Sequence, residues 1–241
     1  MSTLWSPLSD TYGQTRRHLH QIAFFAVGPA RQRTVGRMGL RPTPGGFGTP
    51  PFQDRVARVD GALLVHEESG NTATQQISTV RAASEFFGGG YEEVWYDGFR
   101  DPLAPIDPDS PLVVDEASSH LIGEWFSFAF EILGNLADRG QDDDDVSTPQ
   151  IWPEHFDAAI ELGSADDGKR ASYGLSPGDE AHPEPYIYVA AWGDIDRSNS
   201  YWNDDAFNGS SLAYAELASS PDPADTALAF FEQGHQILQR G

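Results

Sequence analysis

The chain has 241 residues, 39% of them hydrophobic and 12% aromatic, and 37 acidic against 15 basic side chains give it a formal net charge of −22. That length sustains a substantial core, as one large domain or two small ones. A surface so acidic repels phosphate backbones and anionic lipid, so neither nucleic acid nor membrane is an expected partner. The absence of cysteine excludes disulfides, thiolate nucleophiles and cysteine-held zinc. No apolar run approaches the ~20 residues of a membrane helix. MSTLWSPLSD lacks a basic region followed by an apolar stretch, so the expected compartment is the cytoplasm. Lys169 is the only lysine, and every other basic residue is an arginine. A GC-rich genome or a high-salt cytoplasm accounts for such a bias.

Asp10 is placed to cap a first helix running to about Val27, with Leu19, Ile22, Phe25 and Ala26 at helical spacing. In that helix His18 and His20 point about 200° apart, which excludes a tandem ligand pair. TVGRMGLRPT then alternates as a strand, with Met38 and Leu40 on one face and Arg37 and Arg41 on the other. PTPGGFGTPPF follows as a proline-bracketed glycine loop without the Gly-Lys-Ser/Thr ending of a phosphate loop. Arg37 and Arg41 beside that loop are candidate ligand-binding residues, because arginines clamp carboxylate or phosphate and small residues admit a ligand to the backbone. Their bland alternative is ion pairing with the chain's many acids.

The runs QDRVARV and ALLVHEE, joined by Asp60-Gly61, predict a tight hairpin. Ser69-Gly70-Asn71 turns the chain into a further strand, TATQQIS, and a short helix from about Thr79 to Phe87 ends at three glycines. Tyr91–Pro111 holds four prolines and reads as an extended connection. A long amphipathic helix begins near Asp115, with Leu121, Trp125, Phe128, Ile132 and Leu136 in one stripe and Ile122, Phe126, Ala129 and Leu133 beside it. So broad a face is core. Asp142-Asp143-Asp144-Asp145 lacks the spaced ligands of a calcium loop and reads as solvated linker. The last helix starts at about Pro223, capped by Asp222 or Ser220, with His235 on its apolar face as a hydrogen-bonded core residue.

Between them, HFDAAIEL and EPYIYVAAW read as strands. Alternation sets Phe156, Ala158, Ile160 and Leu162 opposite His155, Asp157 and Glu161. It likewise sets Ile187, Val189 and Ala191 opposite Glu184, Tyr186, Tyr188 and Trp192. If the two strands pair with their aliphatic sides on one core, His155, Asp157, Glu184, Tyr186 and Tyr188 share a surface, and His182 reaches its edge. Imidazole, carboxylate and phenol are groups that hold a borderline divalent metal or move protons. The metal candidates are His155, Asp157 and His182. Glu184 is the candidate catalytic base of a hydrolytic reaction, and Tyr186 and Tyr188 are candidate ligand contacts. In the bland reading the HPEP prolines keep an edge strand extended and the cluster is structural. No Gly-x-Ser-x-Gly, His-Glu-x-x-His or dinucleotide fingerprint occurs.

HLHQIAFF, GRMGLRPTPGGFGTPPF and RAASEFFGG, together with IWPEHFDAAIEL and YGLSPGDEAHPEPYIYVAAW, resemble segments of an uncharacterised bacterial family common in actinobacteria. In it an HFD strand precedes a Pro-Gly turn and a tyrosine-rich PEP strand. The resemblance implies a cytoplasmic-type domain and transfers no activity or catalytic residue. The architecture expected from the elements is α+β, a mainly antiparallel sheet packed with amphipathic helices. It spans 1–241 as a single domain, with an N-terminal meander half at 1–90, a linker at 91–114 and a C-terminal half at 115–241. The functional expectation is a small-molecule-binding or metal-assisted enzyme domain. Its alternative is a non-catalytic domain presenting Tyr186, Tyr188 and Trp192 to a protein or sugar.

Overall fold

A computed structural model describes residues 4–99, 102–140 and 144–240. It is α+β, with two antiparallel five-stranded sheets and six α-helices among the described residues. The chain divides into two compact units, Met1–Ser127 with Ile151–Phe156, and Phe128–Gln150 with Asp157–Gly241. The chain passes between the units at Ser127–Phe128, inside a helix, and again at Gln150–Ile151 and Phe156–Asp157. No helix among the described residues is long and apolar enough to cross a membrane.

The first unit opens with one helical rod: α1 (Tyr12–Ile22), a π-helical turn (Ala23–Val27) and α2 (Gly28–Val35). The sequence reading stops this helix at about Val27, yet it continues through Gly28-Pro29. The wider turn carries it through: Gly28 N–H bonds the Ala23 carbonyl, and Pro29 sits in the first turn of α2, where a missing N–H does no harm. Gly36, at φ 68°, ends the rod. Residues 37–39 are therefore a connection, and only Arg41–Thr43 (β1) forms the strand expected from 34 onward.

A meander follows: β2 (Gly46–Gly48), β3 (Arg55–Asp60), β4 (Leu63–Glu68) and β5 (Asn71–Gln76), each antiparallel to its neighbour. Asp60 pairs with Leu63 around Gly61 (φ 57°), and Glu68 with Asn71 around Ser69-Gly70, so both predicted hairpins form. Helix α3 (Val80–Phe86) is capped by Thr79, whose hydroxyl accepts from Ala82 N–H at 3.1 Å. Helix α4 (Glu116–Ala137) is capped by Asp115, which accepts from Ser118 N–H at 2.9 Å. Phe47, Phe126 and Phe156, all buried, meet edge to face at 5.1–6.1 Å and centre the core of this unit.

In the second unit the sheet order is β10-β9-β8-β7-β6, with β6 (Gln150–Trp152) at the unit boundary. Its strands are β7 (Asp157–Leu162), β8 (Ala171–Ser176), β9 (Tyr186–Ala191) and β10 (Gly209–Ala213). Ile160 pairs with Tyr173 and Tyr173 with Val189, which gives one mostly apolar face. Helix α6 (Pro223–Arg240), preceded by α5 (Tyr214–Ser219), lays Phe231 edge-on against Tyr173 at 5.9 Å. Asp222 caps α6, accepting from Asp225 N–H. His235 meets the Tyr173 hydroxyl at 3.4 Å, as a core residue should. At the other end of α6, Lys169 Nζ donates to the Gln239 carbonyl at 2.9 Å.

Asp142 and Asp143 lie outside the described residues. Asp144 is not solvated linker, whereas Asp145 stays exposed while its carboxylate makes an ion pair. Asp144 is 5% exposed with His235 Nε2 3.6 Å from its carboxylate, and Asp145 pairs with the buried Arg170 at 3.1 Å.

Candidate functional site

The pairing on which the expected site depended needs correction. β7 and β9 are not neighbours, because β8 lies between them and bonds to both. Strand parity nevertheless puts Asp157, Glu161, Gly174, Tyr186 and Tyr188 on one face. Tyr188 stands directly opposite Gly174 and its ring lies across that glycine, so that a Cβ there would fall 2.4 Å from the ring. Through this gap in β8 the Tyr188 hydroxyl donates to Asp157 Oδ2 two strands away.

Three such ring–carboxylate couples stand side by side. Beyond Tyr188–Asp157, the Tyr186 hydroxyl donates to Asp179 Oδ2 at 2.6 Å, and His182 Nε2 lies 2.9 Å from Asp204 Oδ2. The rings lie in a row, tilted against one another: His182 is 4.4 Å from Tyr186, and Tyr186 is 5.9 Å from Tyr188. Phe207 closes the row, 5.9 Å from Tyr188 and 6.1 Å from His182.

Burial pushes the Tyr188 phenol far up, with Asp157 adding to the shift; burial and then Asp179 do the same to Tyr186. Both phenols therefore stay protonated donors throughout the accessible pH range. Tyr186 is 8% exposed, so these two rings form no flat outer surface. Trp192, at 55%, is the exposed ring of the expected aromatic trio. It lies over the Arg170 guanidinium at 5.2 Å, and its indole N–H donates to Ser172 Oγ.

The loop before β9 is rigid for a local reason. Asp179 Oδ1 accepts from the N–H groups of Ala181 and His182, at 2.7 and 2.8 Å, while Asp179 N–H reaches the His182 carbonyl. Gly178, at φ 105°, supplies the preceding bend. His182 is thus held at one wall of a cleft of ≈ 310 Å³ whose lining includes Asn203, Asp204, Asp205, Ser211 and Glu216. Asp204 is 4% exposed, and Oδ1 accepts from Ala206 N–H at 2.9 Å. The His182–Asp204 contact is close but misaligned. Among the described residues, Asp204 Oδ2 and His182 Nδ1 are both buried without a hydrogen bond.

The other expected site residues lie elsewhere. His155 belongs to the first unit, in the turn before β7, with its side chain 56% exposed and its nearest acid Glu154 at 4.0 Å. It is not on the strand face with Asp157, because the strand begins only at Asp157 and Phe156 sits at φ 55°. Among the described residues no group of three or more His, Cys, Asp or Glu side chains is arranged to hold a metal ion, so His155, Asp157 and His182 do not form a ligand set. Glu184 is exposed in the loop and does not line the cleft.

Arg37 and Arg41 are both exposed, Arg37 in the connection after α2 and Arg41 in β1. The Pro42–Gly46 segment beside them does line a cleft in the first unit, but neither arginine does. Sequence reasoning missed Asp204, Asp205 and Glu216. The only local signal was WNDDAFNG, a turn-rich stretch carrying two acids.

No family model matches this sequence, and neither the curated proteins nor the solved structures contain a match to the chain.

Proposed function

We propose that the second unit is a small-molecule-binding domain whose cleft receives a positively charged nitrogen group, such as an amine or guanidinium. One observation carries this reading. A carboxylate oxygen of Asp204 is buried at the cleft wall without a hydrogen bond, with only the misaligned His182 Nε2 at 2.9 Å, and His182 Nδ1 across the same ring is also buried without one. Buried polar atoms left in that condition cost about 1–3 kcal/mol each, which a ligand N–H donor offsets. Asp205 and Glu216 add negative charge to the lining, and no lysine or arginine lines it. Asp179 and Tyr186, by fixing the loop, hold His182 in place before any ligand arrives.

A hydrolytic reaction with Glu184 as base draws no support from this geometry, because that side chain stands outside the cleft.

Thermal unfolding with putrescine, choline and argininamide tests the reading, with sodium chloride matched for ionic strength. At least one cation should raise Tm saturably, and Asp204→Asn and Glu216→Gln should each weaken the effect several-fold. Equal shifts for all three cations and for salt alone would leave only general screening of an acidic chain, and the proposal would fail.

A further inference from the structure

The first unit contains a cleft of ≈ 580 Å³, within the usual range for ligand sites. One wall is the segment Pro42–Gly46, and the other is a single face of α4 bearing His120, Gly123, Glu124 and Ser127. Residues three and four apart on a helix stack along one side, so the imidazole, carboxylate and hydroxyl form a row. At Gly123 and Gly46 the two walls touch: a Cβ on Gly123 would fall 2.7 Å from Gly46 Cα. The glycine pair therefore lets the two lining segments come into backbone contact.

An unexplained group lies in this wall. Thr43 Oγ1 is buried and, among the described residues, has no hydrogen-bond partner. Native proteins rarely leave a buried hydroxyl so, unless water or a ligand supplies the partner. We infer that this cleft is a binding site for a neutral polyhydroxylated molecule the size of one or two sugar rings, with Thr43 Oγ1 as one of its hydrogen-bond partners.

The lining chemistry selects that class. No lysine or arginine faces the cleft, which disfavours phosphates and carboxylates. Its one carboxylate, Glu124, already accepts from Leu4 N–H at 2.6 Å, so it is a weaker magnet for a cation than the acids of the second unit. Ser127 Oγ gives its proton to the Gly123 carbonyl at 2.9 Å and so offers lone pairs to a donor. His120, with Nε2 3.8 Å from Asp60 Oδ1 and half-exposed, offers ring nitrogens that can donate or accept. A hydroxyl-rich ligand both donates and accepts, matching Thr43, Ser127 and His120 together. Pro42 and Pro44 add flat C–H surface for a ring face.

The test is saturation-transfer NMR on the full chain with glucose, galactose, trehalose and myo-inositol. NMR is preferred to melting curves, because excluded sugars raise Tm without binding. At least one probe should bind, and Thr43→Val should weaken it about tenfold or more. The same variant should melt no lower than wild type, since it removes a buried unpaired hydroxyl and keeps the shape. Ser127→Phe, which fills the cleft from an exposed helix position, should abolish binding. Absence of binding by all four probes at 50 mM-scale concentration (roughly the weakest affinity worth a site) would overturn the inference. Binding indifferent to both variants would overturn it equally. Amine binding at Asp204 should be unchanged by Thr43→Val, so the two sites are separable.

Discussion

Gly174 is a glycine because the Tyr188 ring occupies the space above it. This arrangement, an aromatic laid over a strand glycine, lets a residue on β9 reach a buried carboxylate on β7. Gly174→Ala should displace the ring and destabilise the protein by about 1–3 kcal/mol. Tyr188→Phe keeps the packing but removes the hydroxyl from Asp157, and should cost about 1–3 kcal/mol. Urea unfolding of both variants checks these values. Similar losses for the two would identify the Tyr188–Asp157 bond as what the glycine protects.

His20 gives a pH-dependent case. Its Nε2 donates to the carbonyls of Pro153 and Glu154, both at 3.1 Å, and the ring stacks on Phe156. Burial lowers its pKa from 6.5 to about 4. The unfolded chain thus binds a proton at this site that the folded protein refuses. The stability tied to neutral His20 is complete above pH 6.5 and is lost as pH falls through about 4. Between about pH 7.5 and 4.5 the wild type should lose about 2–3 kcal/mol more than His20→Gln. Taking the difference between the two proteins removes the carboxylate titrations they share. Parallel pH profiles would show that His20 is not shielded as described.

At the scale of elements, what could be read from sequence had a local cause. Asp60-Gly61 sets the β3–β4 turn, Thr79 and Asp115 begin α3 and α4, and Asp222 begins α6, each through bonds spanning a few residues. Asp115→Ala should therefore lower stability by about 1 kcal/mol, measurable by denaturant unfolding. The elements that escaped reading lacked such a cause. β8, ASYGLS, contains a glycine and small residues with little strand preference of their own, and it is a strand because Tyr173 and Leu175 pair on both sides. Its omission misplaced the partner of β9. Side-chain parity survived the error, so Asp157, Tyr186 and Tyr188 still share a face, while His155 and Glu184 fell outside the strands that were meant to aim them. The second unit's cleft acids were illegible because the loop after β9 brings Asp204 and Asp205 there and the short helix α5 brings Glu216, and no periodicity encodes that placement.

For the molecule as a whole, the dominant property is its charge of −22. Self-repulsion among 37 carboxylates opposes compaction and weakens once salt shortens the reach of each charge to about 10 Å or less. Tm should rise by several degrees between about 20 mM and 0.5 M sodium chloride. A flat or falling Tm would mean that ion pairs such as Arg58 with Asp60 and Glu67 outweigh the repulsion.

One minor contact has a practical outcome. The sole lysine, at position 169, ties its ammonium to the last turn of α6. Reagents that acylate amines therefore meet a single side-chain target here, and its modification unfastens the end of the final helix. With the α-amine accounted for, an amide-forming label on this side chain would report that fraying at one known address.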